Sequence, residues 1–265
     1  MKFCIFLLLF VITIGTAALA QDTSDERLSV VAESQSWDAV GLLNIGNISF
    51  CTGALIAHDL VLTAAHCLFD KQTGLEIDHT SIEFLAGWHE GYASAYRYIF
   101  RVLIHPEYKF GGDVTSRLVL NDLALLELNH PIPEGEILPF EMALSPPRGS
   151  KVIMVSHSFR HSDRPYLQNL CKVLEQQNTG LVTSCAVDFG NSGAPIFVVQ
   201  NGEPKIVSVV SHKATVEVAA VSLWTSFNVP LDVLRSEWAE SRTYRENRAR
   251  MEHVRRGLEA KFIKP

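Results

Sequence analysis

The chain has 265 residues, 47% hydrophobic and 20% charged, with 16 Gly and 11 Pro, which excludes a disordered, collagen-like or miniature disulfide-scaffold protein. Its 29 Asp and Glu outnumber 23 Lys and Arg, for a net charge of −6, so overall charge gives no basis for holding nucleic acid. The balance is uneven: residues 235–265 carry nine basic and five acidic side chains, net +4, whereas residues 1–234 net −10.

The N-terminus reads as an export signal. Lys2 gives a positive start, Phe3 to Ile14 is almost wholly apolar, and Ala18-Leu19-Ala20 has the small-x-small pattern of a signal-peptidase site, so the mature chain is expected to start at Gln21. No later stretch reaches about 18 uninterrupted apolar residues, so no membrane span is expected after signal removal. Cys4 leaves with the signal, and Cys51, Cys67, Cys171 and Cys185 remain. An even number in an oxidising compartment predicts two disulfides, with three pairings open. Pairing nearest neighbours closes loops of about 15 residues, each worth roughly 3 kcal/mol through chain entropy. A zinc site is the competing use of these residues, but no Cys-x2-Cys or His-Glu-x2-His spacing occurs, and His157 with His161 is a weak pair. No Asp/Glu cluster has calcium-ligand spacing, and no cofactor is implied. Asn47-Ile48-Ser49 is a glycosylation sequon, meaningful in a eukaryotic source.

From Trp37 to Val229 the apolar runs are short and rich in branched residues: 39–45, 60–63, 97–104, 123–128, 151–155, 194–199, 206–210 and 216–224. Turn residues separate most of them, as at Glu134-Gly135 and at Asn201-Gly202, a hairpin signal. Eight or more such strands without long helices between them predict an all-β barrel or sandwich. Beyond them, Leu231, Leu234, Trp238, Met251, Val254, Leu258 and Phe262 fall largely at three- and four-residue steps among charges, which predicts a C-terminal α-helix with a basic extension.

Three segments carry chemistry: Leu62-Thr63-Ala64-Ala65-His66-Cys67 with Cys51-Thr52-Gly53 upstream, Asn121-Asp122-Leu123-Ala124-Leu125-Leu126, and Asp188-Phe189-Gly190-Asn191-Ser192-Gly193-Ala194-Pro195. Singly each has a structural explanation: a His beside a Cys at a strand end, an Asp before an apolar strand, a glycine-rich loop. Together, in the order His, Asp, Ser on an exported all-β chain, they resemble the chymotrypsin-like (trypsin-fold) serine peptidases from about Trp37 to Trp238.

That resemblance implies two six-stranded antiparallel Greek-key β-barrels. The expected organisation is a signal at 1–20, an arm or short propeptide at 21–35, barrels at 36–140 and 141–230, and the helix with its extension at 231–265. It also implies Ser192 as nucleophile, His66 as base, Asp122 as the group orienting the imidazole, and the N–H groups of Gly190 and Ser192 as an oxyanion hole. The Cys51–Cys67 bond would pin the His66 loop, and Cys171–Cys185 would brace the second barrel near the pocket. The implied partner is a peptide or protein substrate.

The chain also departs from its digestive relatives. They have Asp directly before the nucleophile, paired with a freed N-terminal ammonium, whereas this chain has Asn191, so the usual zymogen switch is expected to be absent. With the 70-residue spacing from Asp122 to Ser192, this looks closer to the bacterial glutamyl-endopeptidase-like (V8-like) branch. The expected pocket residues are Ala186 and Val187 at its floor and Ser211, His212 and Lys213 along its wall. Ala186 replaces the carboxylate that selects Lys or Arg, leaving small apolar and acidic preferences open. A non-catalytic binding or adhesion module on the same barrels is the alternative. A Gly-x-Ser-x-Gly esterase fits poorly, because Ala194 takes the last position and Ser comes last in chain order.

Overall fold

The structure is a computed structural model that describes residues 37–46, 48–111, 115–159, 161–177, 180–216, 219–225 and 230–243. The expected signal, the arm, Asn47 of the sequon and the tail beyond residue 243 lie outside the described residues. The first barrel comprises β1 (Val40–Ile45), β2 (Ser49–Ala57), β3 (Leu60–Thr63), β4 (Ile82–Ala86), β5 (Ala95–Ile104) and β6 (Ala124–Leu128). They close in the order β1-β2-β3-β6-β5-β4. The second comprises β7 (Lys151–Ser158), β8 (His161–Gln177), β9 (Gly180–Thr183), β10 (Pro195–Gln200), β11 (Glu203–Val216) and β12 (Ala219–Trp224). They close as β10-β11-β12-β9-β8-β7. In each barrel the fourth strand returns beside the first, β4 on β1 and β10 on β7, which is the Greek-key connection.

The all-β expectation holds, and its finer errors have local causes. Asn201 and Gly202 both adopt positive φ, 56° and 85°, and turn β10 into β11, the primed geometry that matches strand twist. The run 216–224 is not one strand: Val216 ends β11 and Ala219 opens β12, and the two face each other in register. No Gly, Pro, Asn or Asp marks that reversal in the sequence. Strand β8 is hidden by its polarity, and its pairings with β7 and β9 carry register shifts. Strands β4 and β9, with five and four residues, are too short for alternation to register.

Aromatic packing joins the barrels. Phe197 of β10 lies 5.0 Å from the Trp37 ring and 4.6 Å from that of Phe140, which belongs to the segment between β6 and β7. The same segment bonds to both barrels: Phe140 N–H donates to Leu55 O, and Ala143 N–H to Ile206 O. One apolar core therefore runs from the first barrel across to Ile153, Phe197 and Val209. A second fills the second barrel around Val152, Met154 and Ile196. Disulfides join Cys51 to Cys67 and Cys171 to Cys185, the nearest-neighbour choice among the three pairings.

A C-terminal helix occupies 230–243, with Leu231, Leu234 and Trp238 buried at the spacing of one helical face. The indole stacks on the Arg101 guanidinium at 3.7 Å. Arg101 in turn pairs with Glu127 at 2.9 Å and donates to Ser241 Oγ at 2.6 Å. No helix among the described residues is long and apolar enough to cross a membrane. Trp238→Ala is expected to lower the unfolding free energy by about 3–5 kcal/mol. The exposed Glu240→Ala should change it by less than about 0.5 kcal/mol, both read from denaturant midpoints.

Candidate active site

A short 3-10 turn, Ala65–Leu68, follows β3 and carries His66. It is fixed at Cys67 by the disulfide to Cys51 of β2. The first N–H groups of such a turn lack partners within it, and that of His66 donates to Asp122 Oδ1 at 2.8 Å. The imidazole engages the other oxygen, Nδ1 to Oδ2 at 2.7 Å. A carboxylate only accepts, so Nδ1 carries the hydrogen and Nε2 is left as the basic nitrogen.

Asp122 is placed by α1 (Ser116–Leu120), a five-residue helix capped by Thr115 Oγ1, which ends two residues ahead of it. Its side chain is fully buried. Burial alone would raise its pKa, but the His66 charge and the hydrogen bonds from His66 and Ser211 outweigh that and hold it below the usual carboxylate value. Ser211 Oγ supplies one of those bonds, at 2.5 Å from Oδ2.

Ser192 sits in the turn before β10, where two glycines are obligatory. Gly190 (φ 93°) and Gly193 (φ 75°) occupy the left-handed region. A Cβ on Gly190 would meet the Phe50 ring and His157 O, and one on Gly193 would meet Thr63 Oγ1 and Thr52 O. The neighbouring peptides are oriented by their carbonyls. Phe189 O accepts from Phe159 N–H, and Asn191 O accepts from Ala194 N–H. In a trans peptide the N–H points opposite the C=O, so the Gly190 and Ser192 N–H groups face away from those contacts. Among the described residues no backbone carbonyl takes either one. Thr52 ties the turn to the first barrel: its Oγ1 donates to Gly190 O at 2.9 Å and its N–H to Ser192 O at 2.8 Å. In the sequence Thr52 stands out only as part of the Cys-x-Gly motif; a hydroxyl between Cys51 and Gly53 in a mostly apolar strand is its one local signal.

Asn191 is buried, with both ends of its amide used. Oδ1 accepts from Asp188 N–H, and Nδ2 donates to Ser156 Oγ, each at 2.5 Å. The turn is therefore held by a neutral side chain on internal partners.

His66 and Ser192 share a cleft of about 500 Å³ between the barrels. Of the expected pocket residues, Val187, Ser211, His212 and Lys213 line it, joined by Asp188. Ala186 does not. Its N–H and C=O are clamped by the Gln168 side chain of β8, at 2.9 and 2.8 Å, which draws it away from the cleft. The opposite wall includes Phe50 and Lys71, neither foreseen, with the Lys71 ammonium 5.7 Å from the Phe189 ring centroid. Among the described residues, two clusters hold metal-type side chains. In Cys51–His66–Cys67 both sulfurs are spent in the disulfide, and in His66–Asp122–His212 both Nδ1 atoms are engaged by Asp122 and Ser211.

A trypsin-family sequence profile matches residues 29–229. The chain belongs to the trypsin family. Among curated relatives, serine protease SP24D of Anopheles gambiae is 31% identical over 180 residues, covering 63% of this chain and 62% of that protein. Serine protease 56 of Mus musculus is 29% identical over 51% of this chain and 21% of that protein. Venom serine protease 34 of Apis mellifera is 31% identical over 40% and 27%. The chain thus spans less than two thirds of the length of each. Among solved structures, a Glu endopeptidase superposes with a TM-score of 0.62 at 15% identity, covering 77% of this chain and 91% of that one. The thermostable serine protease AL20 from an extremophilic microorganism gives 0.59 at 16%, covering 74% and 93%. At these identities the likeness is one of fold.

Beneath the Ser192 turn lies His157 of β7. Its N–H donates to Thr52 Oγ1 at 2.9 Å, but its buried imidazole has no hydrogen-bond partner among the described residues. Burial pushes its pKa down to about 4 from the usual 6.5. The unfolded chain then binds the extra proton first as pH falls, so this contribution to stability is full above about 6.5 and is lost on descent through about 4. His157→Leu should therefore remove up to about 3 kcal/mol of the acid-side loss, seen as a flatter dependence of unfolding free energy on pH from 7 to 4.

Proposed function

We propose that the chain is an exported serine endopeptidase that cleaves peptide bonds through a Ser192 acyl-enzyme. The observation that carries this reading is the buried Asp122 carboxylate, held by both the main-chain N–H and the ring N–H of His66, with that imidazole and Ser192 in one cleft. A serine hydroxyl is barely ionised at neutral pH and needs a base. His66 Nε2 takes the Ser192 proton as Oγ bonds to the substrate carbonyl carbon, and Asp122 stabilises the imidazolium that forms. The carbonyl oxygen becomes an oxyanion, which the Gly190 and Ser192 N–H groups receive; losing one such donor costs about 2.7–4 kcal/mol of transition-state stabilisation. Collapse breaks the C–N bond, and His66 returns its proton to the departing amine. Water then adds by the same base route and releases the acid, restoring Ser192.

Two disulfides and the apolar N-terminal run support an oxidising, exported location, secreted or periplasmic. Specificity follows from the wall of the cleft. With Ala186 turned to Gln168 and Asp188 Oδ1 accepting from Phe189 N–H, a strong Lys/Arg preference is not expected. Val187 suits a small apolar side chain, and His212 with Lys213 an acidic one; cleavage-site mapping on a peptide library separates the two. Asn191 and the spacing before Ser192 support a place near the glutamyl-endopeptidase-like branch.

A fluorophosphonate is expected to label the folded protein stoichiometrically at Ser192. Labelling should vanish in Ser192→Ala and fall strongly in His66→Ala. Absence of labelling in folded wild-type protein would instead indicate a non-catalytic binding or adhesion module. Because Asn191 is satisfied by Ser156 and Asp188, turnover should also survive blocking or extending the mature N-terminus. A blocked protein that folds normally yet loses turnover would contradict this.

A further inference from the structure

Next to Ser192 and His66, the cleft contains a second imidazole, which the proton transfers of the peptidase mechanism do not use. On β11 the pairing with β12 shifts register between Val210 and His212. Strand neighbours ordinarily point to opposite faces, and a bulge re-aims one of them. Here the consecutive side chains Ser211 and His212 both turn toward Asp122. Ser211 Oγ is 2.5 Å from Asp122 Oδ2 and 2.7 Å from His212 Nδ1, and that nitrogen is itself 3.8 Å from the carboxylate. The His66 and His212 rings lie 5.4 Å apart between centroids. The strand is anchored at this point, because Val210 O accepts from Gly193 N–H and Val210 N–H donates to Ala194 O.

Hydrogen counting fixes the direction of the chain. The carboxylate can only accept, so the single Ser211 hydrogen goes to Asp122, and the contact with His212 requires Nδ1–H as donor. We propose that His212 is a positioning residue of the triad: its Nδ1–H donates to Ser211 Oγ, which donates to Asp122 Oδ2, so that the second imidazole sets how strongly the carboxylate holds His66. This rests on the peptidase reading for its consequence in turnover, but not for the hydrogen-bond chain itself.

The physical effect has one sign. A hydroxyl that accepts a hydrogen bond becomes a stronger donor. Ser211 then takes a larger share of the Asp122 charge, and less is left to stabilise protonated His66. The other titratable groups at the cleft are Tyr108 after β5, Lys71 beyond the 3-10 turn, Asp188 in the Ser192 turn and Lys213 on β11. Burial lowers the His212 pKa, which Asp122 opposes and His66 reinforces, so the neutral imidazole with Nδ1–H is the working form near pH 7. Burial also raises that of Tyr108, with Asp122 adding to it, so the phenol stays neutral throughout.

The test compares His212→Phe, which keeps a ring but no donor, with His212→Asn, whose amide nitrogen stands near the place of Nδ1. In His212→Phe the acid limb of the kcat/KM profile should move up by roughly half a pH unit. The downfield NMR resonance of the imidazole proton shared with Asp122 should move further downfield at fixed pH. In His212→Asn both should return toward wild type. Should the Phe variant not fold, His212→Leu is read in the same way. Unchanged limb and resonance in a folded donor-free variant would overturn the proposal, as would an Asn variant that behaves like Phe. If wild type takes up no fluorophosphonate while the resonance still moves, the peptidase reading fails and the positioning role stands.

Discussion

A charged carboxylate with no access to water organises this molecule. An unpaired ion in such a place is untenable, and breaking a buried pair by removing one partner costs about 3–5 kcal/mol. Asp122 is kept ionised by three donors of different origin: the main chain of the 3-10 turn, the His66 ring, and the Ser211 hydroxyl. The first two come from the first barrel and the third from the second. Satisfying this one charge therefore fixes the two barrels against each other where the cleft opens.

The same economy of contacts recurs around Ser192. Thr52, on the strand that also carries Cys51, spans the interface with its hydroxyl and its N–H. The peptides on either side of Ser192 are turned by carbonyl contacts to Phe159 and Ala194. Two N–H groups are thereby turned away from those contacts, the orientation that the proposed oxyanion site requires. Asn191 completes the turn from below. Where digestive relatives use an ion pair with a new N-terminus, an amide here bonds to Ser156 and Asp188. The support of the turn is thus a neutral amide on partners within the body of the fold.

Much of the candidate site was legible because its signals are local. His66 beside Cys67, Asp122 ahead of an apolar strand, and Ser192 between glycines are short patterns that each have a structural explanation alone and point to a site only when taken together in that order. What escaped has a common cause. Ala186 was expected at the pocket floor, but a side chain from β8, a strand whose polarity concealed it, captures both of its main-chain groups. In the sequence His157 is no more than half of a weak metal-type pair with His161, because its burial depends on strands remote in sequence. His212 lines the cleft wall as expected, but its turn toward Asp122 beside Ser211 is not legible, since alternation along a strand cannot foresee a bulge.

The sequence alone determined the all-β class, the cysteines available for bridging, the Asn201-Gly202 hairpin, and the helical stripe of Leu231, Leu234 and Trp238. Each follows from periodicity or turn chemistry over a few adjacent residues. Only the tertiary structure decided where the run 216–224 reverses, that Ala186 leaves the cleft, and that Ser211 and His212 turn together toward Asp122. These outcomes depend on register between strands and on hydrogen bonds across as many as 89 positions, as from Ser211 to Asp122. Such bonds form only once barrel closure has set which atoms meet, and no local pattern in the chain encodes that meeting.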